Sequence, residues 1–257
     1  KYGFDANRMF INNGDGTFTS FSQQMTDGSG VHTYPTLTGD INGDGKTDII
    51  FVGQDRGGNT NLNIRTKMSN GDGSFTSYSQ QMNDGSGVHT YPTLTGDVNG
   101  DGKTDLIFIG QDWGGDTNLN IRVKMSNGDG TFTSYSQQMS DGSGVHTYPT
   151  LTGDVNGDGK TDLIFVGQDW GGDTNLNIRV KMSNGDGTFT SYSQQMGDGS
   201  GVHTYPTLTG DVNGDGKTDL IFVGQDWRAC GLNVRVKISN GDGTWCSDWQ
   251  SLGDGSA

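Results

Sequence analysis

The chain contains no glutamate, and alanine occurs at only three of its 257 positions, Ala6, Ala229 and Ala257. All 30 acidic residues are therefore aspartate. Glutamate and alanine are strong helix formers, whereas glycine, present 45 times, disfavours helix interiors. The composition therefore excludes a helical bundle and predicts short strands joined by many turns.

Other shortages exclude further classes of protein. No apolar run approaches the roughly 18 residues that a membrane-spanning helix needs, and no signal-peptide core follows Lys1. Only 16 basic residues oppose the 30 aspartates, giving a net charge of −14, so a phosphate backbone is disfavoured as a partner. We expect neither membrane insertion nor nucleic-acid binding.

The two cysteines, Cys230 and Cys246, form neither a disulfide framework nor a metal-binding pattern. A hairpin centred on Gly241-Asp242 would place Cys246 opposite about Lys237, which leaves Cys230 far along the strand. We therefore expect no disulfide within this hairpin.

A long internal repeat dominates the sequence. The string GD(I/V)NGDGKTD recurs around Asp40, Asp97, Asp154 and Asp211 at a constant interval of 57 residues. A second string, NGDG followed by Thr or Ser and an aromatic residue, begins at Asn13, Asn70, Asn127, Asn184 and Asn240. Periods of this length indicate a solenoid or a propeller, in which each unit packs against its neighbours.

One repeat contains four strand signals, with alternating or short apolar patterns bounded by turn residues. They are Tyr148 to Val155, Asp162 to Gly167, Leu176 to Met182 and Thr188 to Met196. Asn184-Gly185-Asp186-Gly187 supplies the positive φ angles of a tight hairpin. Four short antiparallel strands per repeat predict an all-β protein, a β-propeller of four-stranded blades. A parallel β-helix, which uses shorter coils, is the alternative.

The repeats define four complete blades and one incomplete blade within a single propeller domain. Residues 1–28 supply an N-terminal half blade with the third and fourth strands only, and the complete blades are 29–84, 85–141, 142–198 and 199–257. Three ways to complete the half blade stay open: closure against the last blade, a larger assembly, or self-association of two chains through the incomplete blade.

Each repeat also carries an acidic nonapeptide that predicts a calcium site. Oxygen-bearing side chains stand at positions 1, 3, 5 and 9, a carbonyl is available at position 7, and glycines allow the tight curl. The predicted ligands are Asp40, Asn42, Asp44, Lys46 and Asp48; Asp97, Asn99, Asp101, Lys103 and Asp105; Asp154, Asn156, Asp158, Lys160 and Asp162; and Asp211, Asn213, Asp215, Lys217 and Asp219, with each lysine acting through its carbonyl.

Two other structures are compatible with parts of this loop. An EF-hand would need a bidentate Glu at position 12 followed by a helix, but position 12 is Phe165 in an apolar strand. An Asx-rich turn without metal would leave three aspartates per loop to repel one another. We therefore expect about four calcium ions, one for each complete repeat.

The string GDVNGDGKTDLIFVG resembles the FG-GAP/VCBS repeat. This repeat is found in the integrin α-subunit propeller and in fungal and bacterial propeller lectins of the Psathyrella velutina type. The resemblance covers nearly the whole chain and implies a calcium-braced β-propeller. In the lectins, sugars lie between adjacent blades and N-acetylglucosamine is a common ligand, but the motif itself does not carry sugar specificity.

The loops at the other end of each blade hold the candidate carbohydrate-binding residues. GQDWGGDTN and DGSGVHTYP repeat there, and an indole in a glycine-rich loop can stack on a sugar ring while Asp, Asn and His bind hydroxyl or acetamido groups. The candidates are Asp112, Trp113, Asn118, His89, Tyr91, Asp169, Trp170, Asn175, His146, Tyr148, Asp226, Trp227, His203 and Tyr205. The alternative is that Trp fills gaps between blades and His binds backbone. In the first complete repeat, Arg56 and Asn59 replace Trp and Asp.

Copied sites favour binding over catalysis. A glycosidase needs two carboxylates in unequal environments, and no GxSxG elbow occurs, whereas rigidly joined weak sites gain avidity. We expect no enzyme activity. The sequence predicts a secreted, calcium-containing, multivalent lectin for N-acetylated sugars on glycans or glycoproteins. The alternative is a protein-binding or adhesion scaffold.

Overall fold

The computed structural model describes nine segments of the chain: residues 8–22, 36–54, 62–82, 93–110, 119–139, 150–167, 176–196, 207–225 and 232–252. Within these segments all regular structure is β-strand. The described residues include no helix long and apolar enough to cross a membrane.

The strands form one hairpin and four sheets of four antiparallel strands, each made from consecutive strands. The hairpin is β1 (Arg8–Asn12) and β2 (Phe18–Ser22). The first sheet is β3 (Thr36–Gly39), β4 (Asp48–Gln54), β5 (Leu62–Ser69) and β6 (Phe75–Met82). The second is β7 (Thr93–Gly96), β8 (Asp105–Gly110), β9 (Leu119–Ser126) and β10 (Phe132–Met139). The third is β11 (Thr150–Gly153), β12 (Asp162–Gly167), β13 (Leu176–Ser183) and β14 (Phe189–Met196). The fourth is β15 (Thr207–Gly210), β16 (Asp219–Gln225), β17 (Leu232–Ser239) and β18 (Trp245–Leu252).

This arrangement confirms the predicted fold class, an all-β protein built of propeller blades with an N-terminal half blade. The second strand of the repeat has the predicted limits, and the third and fourth differ by one residue at one end. The first strand ends at Gly153, two residues before its expected end, because Asp154 and Val155 already belong to the acidic loop, and Tyr148 and Pro149 lie outside the described residues.

The register separates two faces of each sheet. In the third sheet Lys181 lies opposite Leu163 and Ser191, and these positions define face A. Val180 lies opposite Ile164 and Tyr192 on the other side, which we call face B. Side chains alternate along a strand, so face B of the third strand is purely apolar and face A carries its Asn, Arg, Lys and Ser residues.

Cα packing divides the chain into two compact units. The first comprises Lys1–Thr95, Asp101–Phe108 and Arg122–Tyr135, and the second comprises Gly96–Gly100, Ile109–Ile121 and Ser136–Ala257. Each unit has its own apolar core.

The core of the first unit joins face B of sheet β3–β6 to face A of the next sheet. Ile50, Ile64 and Met82 from the former pack with Leu106 and Phe132 from the latter.

The core of the second unit is built in the same way. Ile164, Ile178 and Met196 on face B of sheet β11–β14 pack with Phe222 and Trp245 on face A of the last sheet. Two successive sheets therefore share one buried layer, and neither could bury its apolar residues alone.

Face A buries a lysine in every complete blade, at Lys67, Lys124, Lys181 and Lys237. The ammonium of Lys181 donates a hydrogen bond of 2.7 Å to Ser191 Oγ on the neighbouring strand. Burial lowers the pKa of Lys67, because desolvation disfavours the charged form. The polar side of this strand is therefore enclosed, whereas the sequence predicted a half-buried strand.

The expected pairing of Cys246 with Lys237 is wrong by one residue, since Cys246 pairs with Ile238. The Asn240 N–H donates to the carbonyl of Thr244, so the turn is centred on Asp242 rather than on Gly241-Asp242. Cys246 is a free, exposed thiol, and Cys230 lies outside the described residues.

Candidate functional site

The NGDG turns are closed by their own side chains. In the turn beginning at Asn184, the N–H and hydroxyl of Thr188 both donate to Asp186 Oδ1, at 2.9 and 2.6 Å. Asn184 donates to Thr188 Oγ1 and accepts from Thr190 Oγ1. The bond from the Thr188 hydroxyl lowers the pKa of Asp186. The aspartate of this turn is therefore committed to local structure.

The acidic loop curls around its first aspartate. Asp154 Oδ1 accepts hydrogen bonds from the N–H groups of Gly157 and Asp158, and Oδ2 accepts one from Gly159. Gly157 and Gly159 have φ angles of 77° and 83°, which side chains with a Cβ rarely adopt. The predicted curl is thus produced by one carboxylate and two left-handed glycines.

The last aspartate of the loop is buried. Asp162 has no exposed surface and accepts hydrogen bonds from the N–H groups of Val155 and Ser183, at 2.9 and 2.8 Å. Burial, with smaller contributions from the charges of Asp158 and Asp154, raises its pKa to about 6. The electrostatic environment of this carboxylate therefore favours a proton or a cation beside it.

The loop also contains its own cation. Lys160 Nζ lies 2.7 Å from Asp158 Oδ2, and the same pair recurs in the other three loops. A Cβ built on Gly185 would lie 2.9 Å from Lys160 Cε, so the lysine stem runs along the NGDG turn of its own blade. The acidic loop and the NGDG turn therefore share one end of the sheet, as the sequence predicted.

Successive acidic loops are joined directly. The Thr218 N–H donates to the carbonyl of Asp154 at 2.7 Å, and Thr161 does the same to Asp97 at 2.6 Å. In the first unit the contact is reciprocal, because the Asp40 N–H also donates to Thr104 Oγ1. The first residue of one loop is thus held by the eighth residue of the next.

The predicted calcium ligands fall together in one described loop per blade, and their oxygen donors suit a hard cation. However, the nine described segments contain no group of three or more His, Cys or acidic side chains arranged to hold a metal ion. The carboxylate oxygens face backbone N–H groups and the loop lysine instead. The donor chemistry fits calcium, and the buried Asp162 would be the residue that gains most from it.

The predicted carbohydrate-binding residues, from His89 and Tyr91 through Trp113 and Trp170 to Trp227, all lie outside the described residues. The strands that flank them are described. Gly167 pairs with Asn177 at the end of the sheet opposite the acidic loop, where β12 ends and β13 begins. The sequence from Gln168 to Asn175 connects these two positions.

Three asparagines at this end were not singled out by the sequence. The side-chain nitrogens of Asn63, Asn120 and Asn177 are enclosed and have no hydrogen-bond partner in the part of the chain that the structure describes. An unpaired buried amide costs about 1–3 kcal/mol, so three copies call for an acceptor. The recurrence of LN(I/V) after the GQD(R/W) loops is the signal that could have found them.

Comparison with known families gives one result. The family model described as the FG-GAP-like repeat matches residues 2–51, 40–108, 97–165 and 154–222. Each of the last three matches begins at the first aspartate of one acidic loop and ends in the second strand of the next blade. Curated proteins give no match to the chain.

Proposed function

The chain belongs to the FG-GAP-like repeat family, and from this we propose that it is a calcium-binding propeller that binds carbohydrate at several repeated sites. The observation that carries the binding proposal is that the enclosed amides of Asn120 and Asn177 have no hydrogen-bond partner among the described residues. They lie at the sheet ends from which the tryptophan-bearing loops depart. N-acetylated sugars such as N-acetylglucosamine offer a carbonyl oxygen as the acceptor.

Calcium has a defined part in this proposal. The residues that would hold it in the third blade are Asp154, Asn156, Asp158, the Lys160 carbonyl and Asp162. The bound ion supplies charge neutralisation and a cross-link within the loop. Asp162 supports the assignment, because its buried carboxylate has a raised pKa and neighbouring acids.

The carbohydrate proposal combines this geometry with the repeated loops. Indole rings at Trp113 and Trp170 would stack on the sugar, and Asn177 would donate to a sugar oxygen from the sheet below. Arg56 replaces the tryptophan in the first complete repeat, so we expect no equivalent site there. Copies of one weak site on a rigid scaffold give avidity for glycans that carry several such sugars.

Calcium binding is tested by thermal melting and calorimetry. We expect chelator to lower the melting temperature, because a ligand of the native state alone stabilises it by mass action. Asp158→Asn should weaken calcium binding, whereas Asp186→Asn, which alters an aspartate bonded within the NGDG turn, should leave affinity unchanged. An identical melt with chelator and with calcium would refute the metal assignment.

Carbohydrate binding is tested on a glycan array with the calcium-loaded chain, then by calorimetry with N-acetylglucosamine. Trp113→Ala combined with Trp170→Ala should lower the affinity for sugar without changing the melting temperature, and Asn177→Ala should lower the affinity without lowering the melting temperature. Ser193→Ala is the matched control, because Ser193 is exposed on the fourth strand. A silent array from folded, calcium-loaded protein would refute the lectin proposal and favour the alternative of a protein-binding scaffold.

The remaining parts of the proposal concern chemistry and location. We propose binding without catalysis, because the aspartates described here serve turns and loops in identical copies. Calcium in the millimolar range outside cells suits sites of modest affinity, so we propose that the protein acts after secretion.

A further inference from the structure

Every junction between successive sheets within a unit follows one rule, in which face B of one sheet meets face A of the next. In the second unit, the Ser239 hydroxyl donates to the Val155 carbonyl at 2.7 Å. The Gln194 side chain accepts a hydrogen bond from the backbone N–H of Trp245 at 2.6 Å and donates one to the backbone carbonyl of Trp245 at 3.2 Å. Val155 and Trp245 share the apolar cluster of this junction.

The first unit has the same junction. Ser126 donates to the Ile41 carbonyl at 2.7 Å, and Gln80 makes the two bonds to the backbone of Phe132. Ile41 and Phe132 lie in one buried cluster. The repeat therefore encodes a complete docking surface on each side of a blade.

The last sheet presents an open face B. Val212 is 49% exposed, whereas the equivalent residues Ile41, Val98 and Val155 are fully buried. Leu208 on β15 is 52% exposed.

The glycine before the last acidic loop, Gly210, likewise has no neighbouring blade against it among the described residues. A Cβ built on Gly96 or Gly153 would overlap a threonine of the next blade, but one on Gly210 would meet only Ile221 at 3.7 Å. The last blade thus keeps the residues of a junction that nothing described covers.

The N-terminal hairpin presents an open face A. Phe18 is 60% exposed, although the equivalent residues of the last three blades, Phe132, Phe189 and Trp245, are 2–3% exposed. Phe10, also 60% exposed, replaces the lysine that face A buries in every complete blade. This hairpin therefore offers two aromatic rings where the interior blades offer one.

We propose that face B of the last sheet binds face A of the β1–β2 hairpin of a second copy of this chain. The contact continues the interior rule: Phe18 takes the place of Trp245 and packs on Val212. Asn12 stands at the position of Ser239, and Gln250 at that of Gln194. Because the two surfaces differ, the contact is head to tail, and copies add in series.

The test uses light scattering after size-exclusion chromatography of the whole chain over a wide concentration range. The molar mass of the wild-type protein should rise above the 27.4 kDa of the monomer as its concentration increases. Val212→Asp and Phe18→Asp should each be monomeric, because a charge then enters an apolar contact. Both residues are largely exposed in the single chain, so neither variant should lose its fold. Ser136→Asp, at an exposed position of β10, is the matched charge control and should assemble like wild type.

A mixture of the two variants tests directly whether the hairpin of one copy binds the last sheet of another. The Phe18→Asp chain keeps an intact last sheet and the Val212→Asp chain keeps an intact hairpin, so an equal mixture should form a dimer and stop there. A monomeric wild type at all concentrations, or a mixture that stays monomeric, would overturn the proposal. If circular dichroism shows either variant unfolded, Leu208→Asp and Phe10→Asp replace it in the same mixture.

Discussion

Replacing Gly153 by alanine tests why this position is glycine: because a neighbouring blade lies close to it, or because its backbone conformation requires glycine. Its φ lies outside the left-handed region, so alanine suits the backbone at this position. A Cβ there would nevertheless lie 2.7 Å from Thr218 Oγ1 and 2.8 Å from Thr218 Cβ. Rotating the threonine side chain moves Oγ1 but leaves its Cβ in place, so the sheets must separate. Such overpacking costs about 1–3 kcal/mol.

Gly210→Ala is the matched control, because the same residue of the repeat there meets only Ile221 Cδ1 at 3.7 Å. Gly→Ala at an unhindered site stabilises the folded state by about 0.4–1 kcal/mol, because alanine lowers the conformational entropy of the unfolded chain. We expect the melting temperature to fall for Gly153→Ala by about 2–12 °C, at ~2–4 °C per kcal/mol, and to hold or rise for Gly210→Ala. Equal effects of the two substitutions would refute the argument that Thr218 demands the glycine.

Three further outcomes follow from the junction and the buried acid. In metal-free buffer the folded pKa of Asp162, about 6, exceeds the ordinary aspartate value of 3.8, so the native protein binds an extra proton between these pH values. Urea denaturation should therefore show the free energy of unfolding falling by about 2 kcal/mol as pH rises from about 4 to about 6, and Asp162→Asn should remove this slope. Gln194→Leu should lower the free energy of unfolding by ~1–3 kcal/mol, because it leaves the backbone N–H and carbonyl of Trp245 unpaired. Ser239→Ala should cost a similar ~1–3 kcal/mol, because the Val155 carbonyl loses its donor, and an unchanged denaturation midpoint for either variant would contradict these roles.

Local features were predictable because they depend on neighbours in sequence. The limits of β12 follow from an apolar run between turn residues. The curl of the acidic loop follows from Asp154 and the glycines that it bonds. The hairpin register was wrong by one residue, since the bond from Asn240 to Thr244 encloses three residues instead of two. A turn motif alone does not state how many residues it encloses.

Features that depend on the next blade were not predictable in the same way. The alternation in LNIRVKM indicates one apolar face, yet Lys181 on the other face is fully buried because another sheet covers it. The enclosed amide of Asn177 was missed for the same reason, since its surroundings come from residues distant in sequence.

The sequence by itself determined the period, the strands, the turns and the acidic loops, all of which are closed by hydrogen bonds between residues a few positions apart. Only the tertiary structure decided which surfaces are buried. Residues one repeat apart are nearly identical, yet Val155 is enclosed and Val212 is exposed. The difference lies in whether another sheet packs against them, because burial is a property of neighbouring surfaces and not of the residue.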